Sequence, residues 1–263
     1  MKSIEFSGAT FRVVDEGAGP PLVLLHGFPL DHTMWRHQVA FFAARHRVIV
    51  PDLRGFGGSG GQRDVVRMED FADDVAGLLD ELEVTEPVTL AGLSMGGYIA
   101  FQFWHRHAAR LQRLILCDTR SVADQPEVAR GRQQMAERVL VEGPRLVADA
   151  MLGRLIYDAL PASHRLLVDE LRGVIERTDR RAIAAAQRGM ALRPDVTSWL
   201  SQIQVPTLVV CGERDLISPL GEMQTLAAAI PGSCWAPIAD AGHLAPLEQP
   251  EAVNRVLDDF LCG

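Results

Sequence analysis

Short runs rich in Val, Ile and Leu punctuate this chain, each bounded by Gly, Pro or Asp and separated from the next by longer stretches with helical spacing. The runs are Thr10 to Asp15, Leu22 to Leu25, Val48 to Val50, Val88 to Leu90, Leu114 to Leu116, Leu208 to Val210 and Cys234 to Ile238. Most are continuously apolar, which is how a parallel strand reads when helices cover both faces of its sheet. The alternation predicts an α/β fold. Thr10 to Asp15 is more mixed and is predicted to be an antiparallel edge. Helices are predicted over Met34 to Ala44, Met68 to Leu82, Met95 to His107, Gly221 to Ile230 and Glu251 to Phe260. In the second of these, Phe71, Val75, Leu78, Leu79 and Leu82 fall on one apolar face, with Asp73, Asp74, Asp80 and Glu81 outside it.

The rhythm breaks from Ser121 to about Arg193. Amphipathic helical patterns fill that stretch, punctuated by Gly143-Pro144, Pro161 and Arg193-Pro194. An all-helical insertion is therefore expected. Arginine slightly outnumbers Asp and Glu there, in a chain of net charge −8, and the excess reads as a solvated helix surface. The acidic balance argues against a nucleic-acid partner, which would require a basic face to displace counterions. The start of the chain has no apolar signal-like region and no later run reaches ~18 apolar residues, so a soluble, cytoplasmic protein without a membrane partner is expected. Four scattered cysteines form no C-x-x-C pair, and Cys117 and Cys211, each closing an apolar run, read as buried small hydrophobes.

The residues that carry chemistry begin with Gly92-Leu93-Ser94-Met95-Gly96, a G-x-S-x-G spacing between a predicted strand and a predicted helix. Such a turn lifts the Ser94 hydroxyl to the sheet's C-terminal edge, where the N-terminus of the helix favours developing negative charge. A second match, Gly57-Gly58-Ser59-Gly60-Gly61, lies in a glycine-rich loop followed by Gln62, Arg63 and Asp64, and its context rejects Ser59. A serine hydroxyl becomes nucleophilic only when a base takes its proton and an acid fixes that base in one tautomer. His243 follows the last strand by a short turn. Asp215 lies in the loop after Leu208 to Val210 and is preferred over Glu213, which sits nearer the strand end. Asp118, after Leu116-Cys117, is a second candidate for the acid, and Asp240 a weaker one. The N–H groups of Phe28 and Met95 are candidate oxyanion donors. His26 is expected to shape its loop through a structural hydrogen bond rather than act as catalyst or metal ligand.

His26-Gly27-Phe28-Pro29, Pro51-Asp52-Leu53-Arg54-Gly55-Phe56-Gly57, Gly92 to Gly97, Gly212-Glu213-Arg214-Asp215 and Gly242-His243 together resemble the ordered motifs of the α/β-hydrolase superfamily. Within it the chain is most similar to small carboxylesterases, enol-lactonases and cofactor-free haloperoxidase-type serine hydrolases. The resemblance implies a mostly parallel eight-stranded sheet covered by helices, with a core from 1–120 and 194–263 and a helical cap over 121–193. It implies a small-molecule ester or lactone substrate and no cofactor or metal. Serine at position 94 departs from the dehalogenase and epoxide-hydrolase pattern, which has aspartate there. Enol-lactone or C–C bond cleavage by the same residues, and a ligand receptor on this scaffold, stay open. Gly55-Phe56-Gly57-Gly58-Ser59-Gly60 also matches G-x-G-x-x-G, but loop rather than helix follows its third glycine, which opposes a dinucleotide site. Phe28, Trp35, Met95, Leu216 and Leu244, with Met135 and Met151 of the insertion, are expected to line a partly apolar pocket.

Overall fold

Each predicted β-run forms a strand in the computed structural model, which describes residues 1–61, 63–157 and 164–263. Gln62 and the Pro161 break lie outside the described residues. The strands are β1 (Lys2–Phe6), β2 (Ala9–Glu16), β3 (Pro21–Leu25), β4 (Arg47–Pro51), β5 (Val88–Leu93), β6 (Leu111–Cys117), β7 (Thr207–Gly212) and β8 (Cys234–Ile238). They form one sheet in the order β1-β2-β4-β3-β5-β6-β7-β8. The β1–β2 and β2–β4 pairings are antiparallel, and the others are parallel. Every residue of β3, β5 and β7 is buried, as the unbroken apolar runs require.

The stretch predicted as the antiparallel edge is antiparallel but not the edge. It became β2, and β1 lies outside it. β1 is hard to read because Lys2, Ser3 and Glu5 are exposed and only Ile4 and Phe6 are partly covered. At the opposite edge β8 carries Pro237, whose missing N–H is tolerated where no further strand pairs.

The helices are α1 (Arg36–Phe42), α2 (Met68–Glu81), α3 (Met95–His107), α4 (Pro126–Glu142), α5 (Arg145–Leu155), α6 (His164–Arg177), α7 (Arg180–Ala191), α8 (Leu220–Ala229), α9 (Ala245–Glu248) and α10 (Pro250–Cys262). The helix predicted from Met34 divides into a 3-10 turn, His32–Trp35, and α1, with the Asp31 side chain capping the turn at the Thr33 N–H. α3 lies against β5, β6 and β3 and packs on α2, while α8 covers β7 and β8. Arg106 of α3 holds Asp73 of α2 with two hydrogen bonds, 2.8 and 2.7 Å. Between β6 and β7, α4 packs on α7 and α5 on α6.

Asp74 corrects a sequence expectation. Placed outside the apolar face of α2, it is in fact buried, because Arg54 reaches it from the loop after β4 and forms a bidentate ion pair with one 2.6 Å bond. Burial of a lone carboxylate would be prohibitive, and the guanidinium makes it tolerable.

Candidate active site

Ser94 stands between the last residue of β5 and the first of α3 with φ 55° and ψ −113°, a backbone conformation that side-chain-bearing residues rarely adopt. The turn holds because its flanking positions lack side chains. A Cβ on Gly92 would meet the Gly96 carbonyl oxygen at 2.2 Å, and one on Gly96 would meet the Leu25 carbonyl oxygen at 2.4 Å. The Ser94 N–H donates to the Cys117 carbonyl at 2.9 Å, and its own carbonyl accepts from Thr119 Oγ1 at 2.8 Å. The elbow is thus fastened to the end of β6. Ser94 is partly exposed, while Met95 behind it is buried.

From the other side comes the loop after β3. A Cβ on Gly27 would lie 3.4 Å from Ser94 Cβ, so the backbone that leads into Phe28 passes beside the elbow. His26 anchors this loop. Its Nε2 accepts the Leu53 N–H at 3.0 Å, which leaves Nδ1 as the donor to the Gly27 carbonyl, also 3.0 Å. The ring is fully buried, and that burial, partly opposed by the Gly27 carbonyl and nearby acids, lowers its pKa and keeps it neutral.

Asp215 and His243 meet as expected. Asp215 Oδ2 lies 2.8 Å from His243 Nδ1, and both residues are buried. The other carboxylate oxygen accepts the N–H groups of Ile217 at 2.7 Å and Ser218 at 3.1 Å, which fixes its orientation. Among the described residues no hydrogen bond joins Ser94 Oγ to the imidazole. Ser94 and Asp215 follow strands separated only by β6, about 10 Å of sheet. Asp118 Oδ1 accepts the Gly212 N–H at 2.8 Å. One side-chain atom each from Asp118, Asp215 and His243 falls within 4.8 Å of the others, close enough to bracket a cation, yet Asp118 Oδ1, both Asp215 oxygens and His243 Nδ1 already serve one another or backbone amides. Asp240, the weaker candidate acid, is exposed.

Glu248 lies outside every motif of the sequence. Its Oε2 accepts the N–H groups of Gly242 at 3.0 Å and Tyr157 at 2.8 Å, and its Oε1 that of Leu244 at 3.0 Å. One buried carboxylate therefore grips the backbone on both sides of His243 and ties it to the end of α5. A glutamate five residues after a loop histidine, on a one-turn helix, is the only trace of this in the sequence.

Ser59, rejected on context, is structural: its hydroxyl donates to the Asp52 carbonyl at 2.7 Å and accepts the Arg12 N–H at 2.9 Å. The loop that matched a dinucleotide fingerprint closes on itself through Gly55 N–H to the Gly60 carbonyl, 3.0 Å, and on β2 through Gly60 N–H to the Thr10 carbonyl, 2.8 Å. Of the expected pocket residues, Trp35 belongs to the core, fully buried, and Leu216 is 64% exposed. Leu216 rims an open cleft of about 340 Å³ with Gly153, Ile156, Tyr157, Glu213, Arg214 and Asp215, between the helical insertion and the loop bearing Asp215.

The sheet order, the strained serine elbow and the Asp215–His243 pair define a protein of the α/β-hydrolase class. Residues 20–250 match the family model described as the alpha/beta hydrolase fold, and the chain belongs to that family. It is 33% identical to the AB hydrolase superfamily protein YisY of Bacillus subtilis, with 95% of each chain covered. A thermophilic esterase from Thermogutta terrifontis superposes with TM-score 0.97 at 43% identity, covering 100% of this chain and 98% of that one. The enol-lactonase from Burkholderia xenovorans superposes with TM-score 0.92 at 29% identity, covering both chains completely. The protein is a hydrolase by fold and kinship.

Proposed function

We propose that the chain is a carboxylesterase-type serine hydrolase that cleaves esters of small or medium acyl groups through an acyl-enzyme on Ser94. The observation that carries this reading is an imidazole held by a carboxylate, His243 on Asp215, at the same sheet edge as a serine held in a strained elbow. In the proposed reaction Nε2 of His243 takes the hydroxyl proton as Oγ attacks the carbonyl carbon. The Ser–His contact closes when substrate docks, a tightening common where a catalytic bond is long in the free enzyme. The amides of Phe28 and Met95 receive the oxyanion, each such donor being worth about 3 to 4 kcal/mol in a transition state. Asp215 holds Nδ1 and stabilises the imidazolium. The proton on Nε2 then leaves with the alcohol, and water, deprotonated by the same nitrogen, releases the acid. The insertion over 121–193 is assigned as the cap, with Met135, Met151 and the cleft beside Leu216 framing the acyl group.

Similarity to both an esterase and an enol-lactonase gives a second reading, in which the scissile ester is the internal one of an enol-lactone. The bond broken is the same in kind. The test is release of nitrophenol from short acyl esters by the purified chain, beside a panel of lactones. Ser94→Ala should abolish turnover while leaving the folded state intact. A serine-directed phosphonate should add to Ser94 alone. Activity persisting in the alanine variant would overturn the nucleophile, and a faster enol-lactone would select the second reading.

A further inference from the structure

We infer that the carboxyl group of Asp118 carries the proton of an Asp118/Asp215 pair and donates it in a hydrogen bond to Asp215, making Asp118 a neutral positioning residue behind the His243 base. The inference rests on the triad reading above. Asp118 is completely buried at the end of β6, in a left-handed conformation with φ 46°. Its Oδ1 is satisfied by the Gly212 N–H, but Oδ2 is buried with no N–H or O–H donor in reach. What does lie in reach is the carboxyl of Asp215, inside the cluster that also holds His243. Two carboxylates facing each other repel, and a buried acceptor left unpaired costs about 1 to 3 kcal/mol. A single proton removes both penalties, turning the orphan oxygen into a donor.

The environment decides which residue keeps it. Asp215 accepts two amide N–H groups and the imidazole, all of which favour its anion. Asp118 accepts one amide. Burial, and then the charge of Asp215 with a lesser contribution from Glu248, pushes the Asp118 carboxyl well above the usual carboxylate range. The other titratable neighbours, the thiols of Cys117 and Cys211, are themselves pushed up by burial and stay neutral, and the Cys211 S–H, which lies against the Asp118 carboxyl, is directed to the Gly212 and Ser218 carbonyls at 3.3 and 3.5 Å. No arginine or lysine is paired with either aspartate among the described residues. With Asp118 neutral, the base feels one negative charge rather than two, and Asp215 gains a further bond that holds its plane toward Nδ1.

Infrared spectra of the folded enzyme at about pH 8 test this first on the wild-type protein. A protonated carboxylic-acid carbonyl band should be present, should shift when aspartate is labelled with carbon-13 at its side-chain carboxyl, and should vanish in Asp118→Asn. Absence of an aspartate-derived band overturns the inference. Kinetics with a nitrophenyl ester supply the second readout. Asp118→Ala should lower kcat/KM about 10- to 100-fold, the range typical when an outer hydrogen-bonding partner of a site is removed, and should move the acid limb of its pH profile upward. Asn, which keeps a donor toward Asp215 and an acceptor for Gly212, should restore most of that loss with the limb back in place. A downward shift of the limb in Asp118→Asn would mean that an anion had been neutralised, and would overturn the inference. Wild-type kinetics in Asp118→Ala would do the same. Asp215→Asn separates the two readings: if it retains full activity while the wild-type enzyme shows the infrared band, the triad assignment fails and the shared proton stands.

Discussion

At the scale of single residues, buried carboxylates organise the site by gathering backbone and ring donors. Asp215 divides its two oxygens between the imidazole and a pair of amides. Glu248 does for the backbone what Asp215 does for the ring. Glu248→Ala would strand three N–H groups around His243, each unsatisfied group costing about 1 to 3 kcal/mol. Chemical denaturation should show that loss of stability, and kcat should fall more than KM rises if His243 is the proposed base, because the imidazole rather than the binding surface has been released. Glu248→Gln, which keeps one acceptor oxygen, should fall between the two. Glu248 went unread in the sequence since a glutamate on a short helix usually faces water, and only the fold turns this one inward.

At the scale of elements, short apolar runs were read correctly as strands because a strand buried on both faces has no room for polar residues. Helices were read within one or two residues where the apolar stripe was long, as in α2 and α3. The shorter pieces left no pattern, β1 because none of its residues is fully buried and α9 because its four residues are too few to show a period. The Arg54–Asp74 pair is also an element-scale feature, pinning the glycine loop after β4 to the middle of α2. Removing one partner leaves a buried charge uncompensated, at a cost of about 3 to 5 kcal/mol. Asp74→Ala should therefore lower stability by that amount in denaturant titration, whereas Asp73→Ala, one residue away in an exposed pair, should cost about 1 kcal/mol or less.

The whole molecule has a pH response that two histidines of neighbouring loops drive in opposite directions. Burial depresses the pKa of His26, so the folded chain refuses a proton that the unfolded chain accepts. Its contribution is complete above about pH 6.5 and shrinks as pH falls below that value. His32 is raised, first by its 2.7 Å bond to Asp52 and against the effect of its own burial. Its contribution is complete below about pH 6.5 and is lost as pH rises through the folded value. Melting temperatures between about pH 5.5 and pH 8 should thus show a shallower acid-side decline in His26→Gln than in wild type. His32→Gln should be most destabilised relative to wild type at the acid end and least at the alkaline end. Parallel curves for all three proteins would refute both assignments.

Apart from β1 and α9, the alternation of strands and helices, together with the parallel character of the sheet, the elbow at Ser94 and the candidacy of Asp215 and His243, was legible in the sequence. Apolar periodicity and glycine spacing are local properties, and each is written within a few consecutive residues. Tertiary structure alone decided that Asp74 goes inward to Arg54, that Glu248 grips the loop of His243, and that Asp118 lies beside Asp215 while Asp215 meets the imidazole. Those facts depend on which distant polar atoms come into contact once water is removed, and a buried carboxyl finds its partner across strands that the linear order keeps about a hundred residues apart.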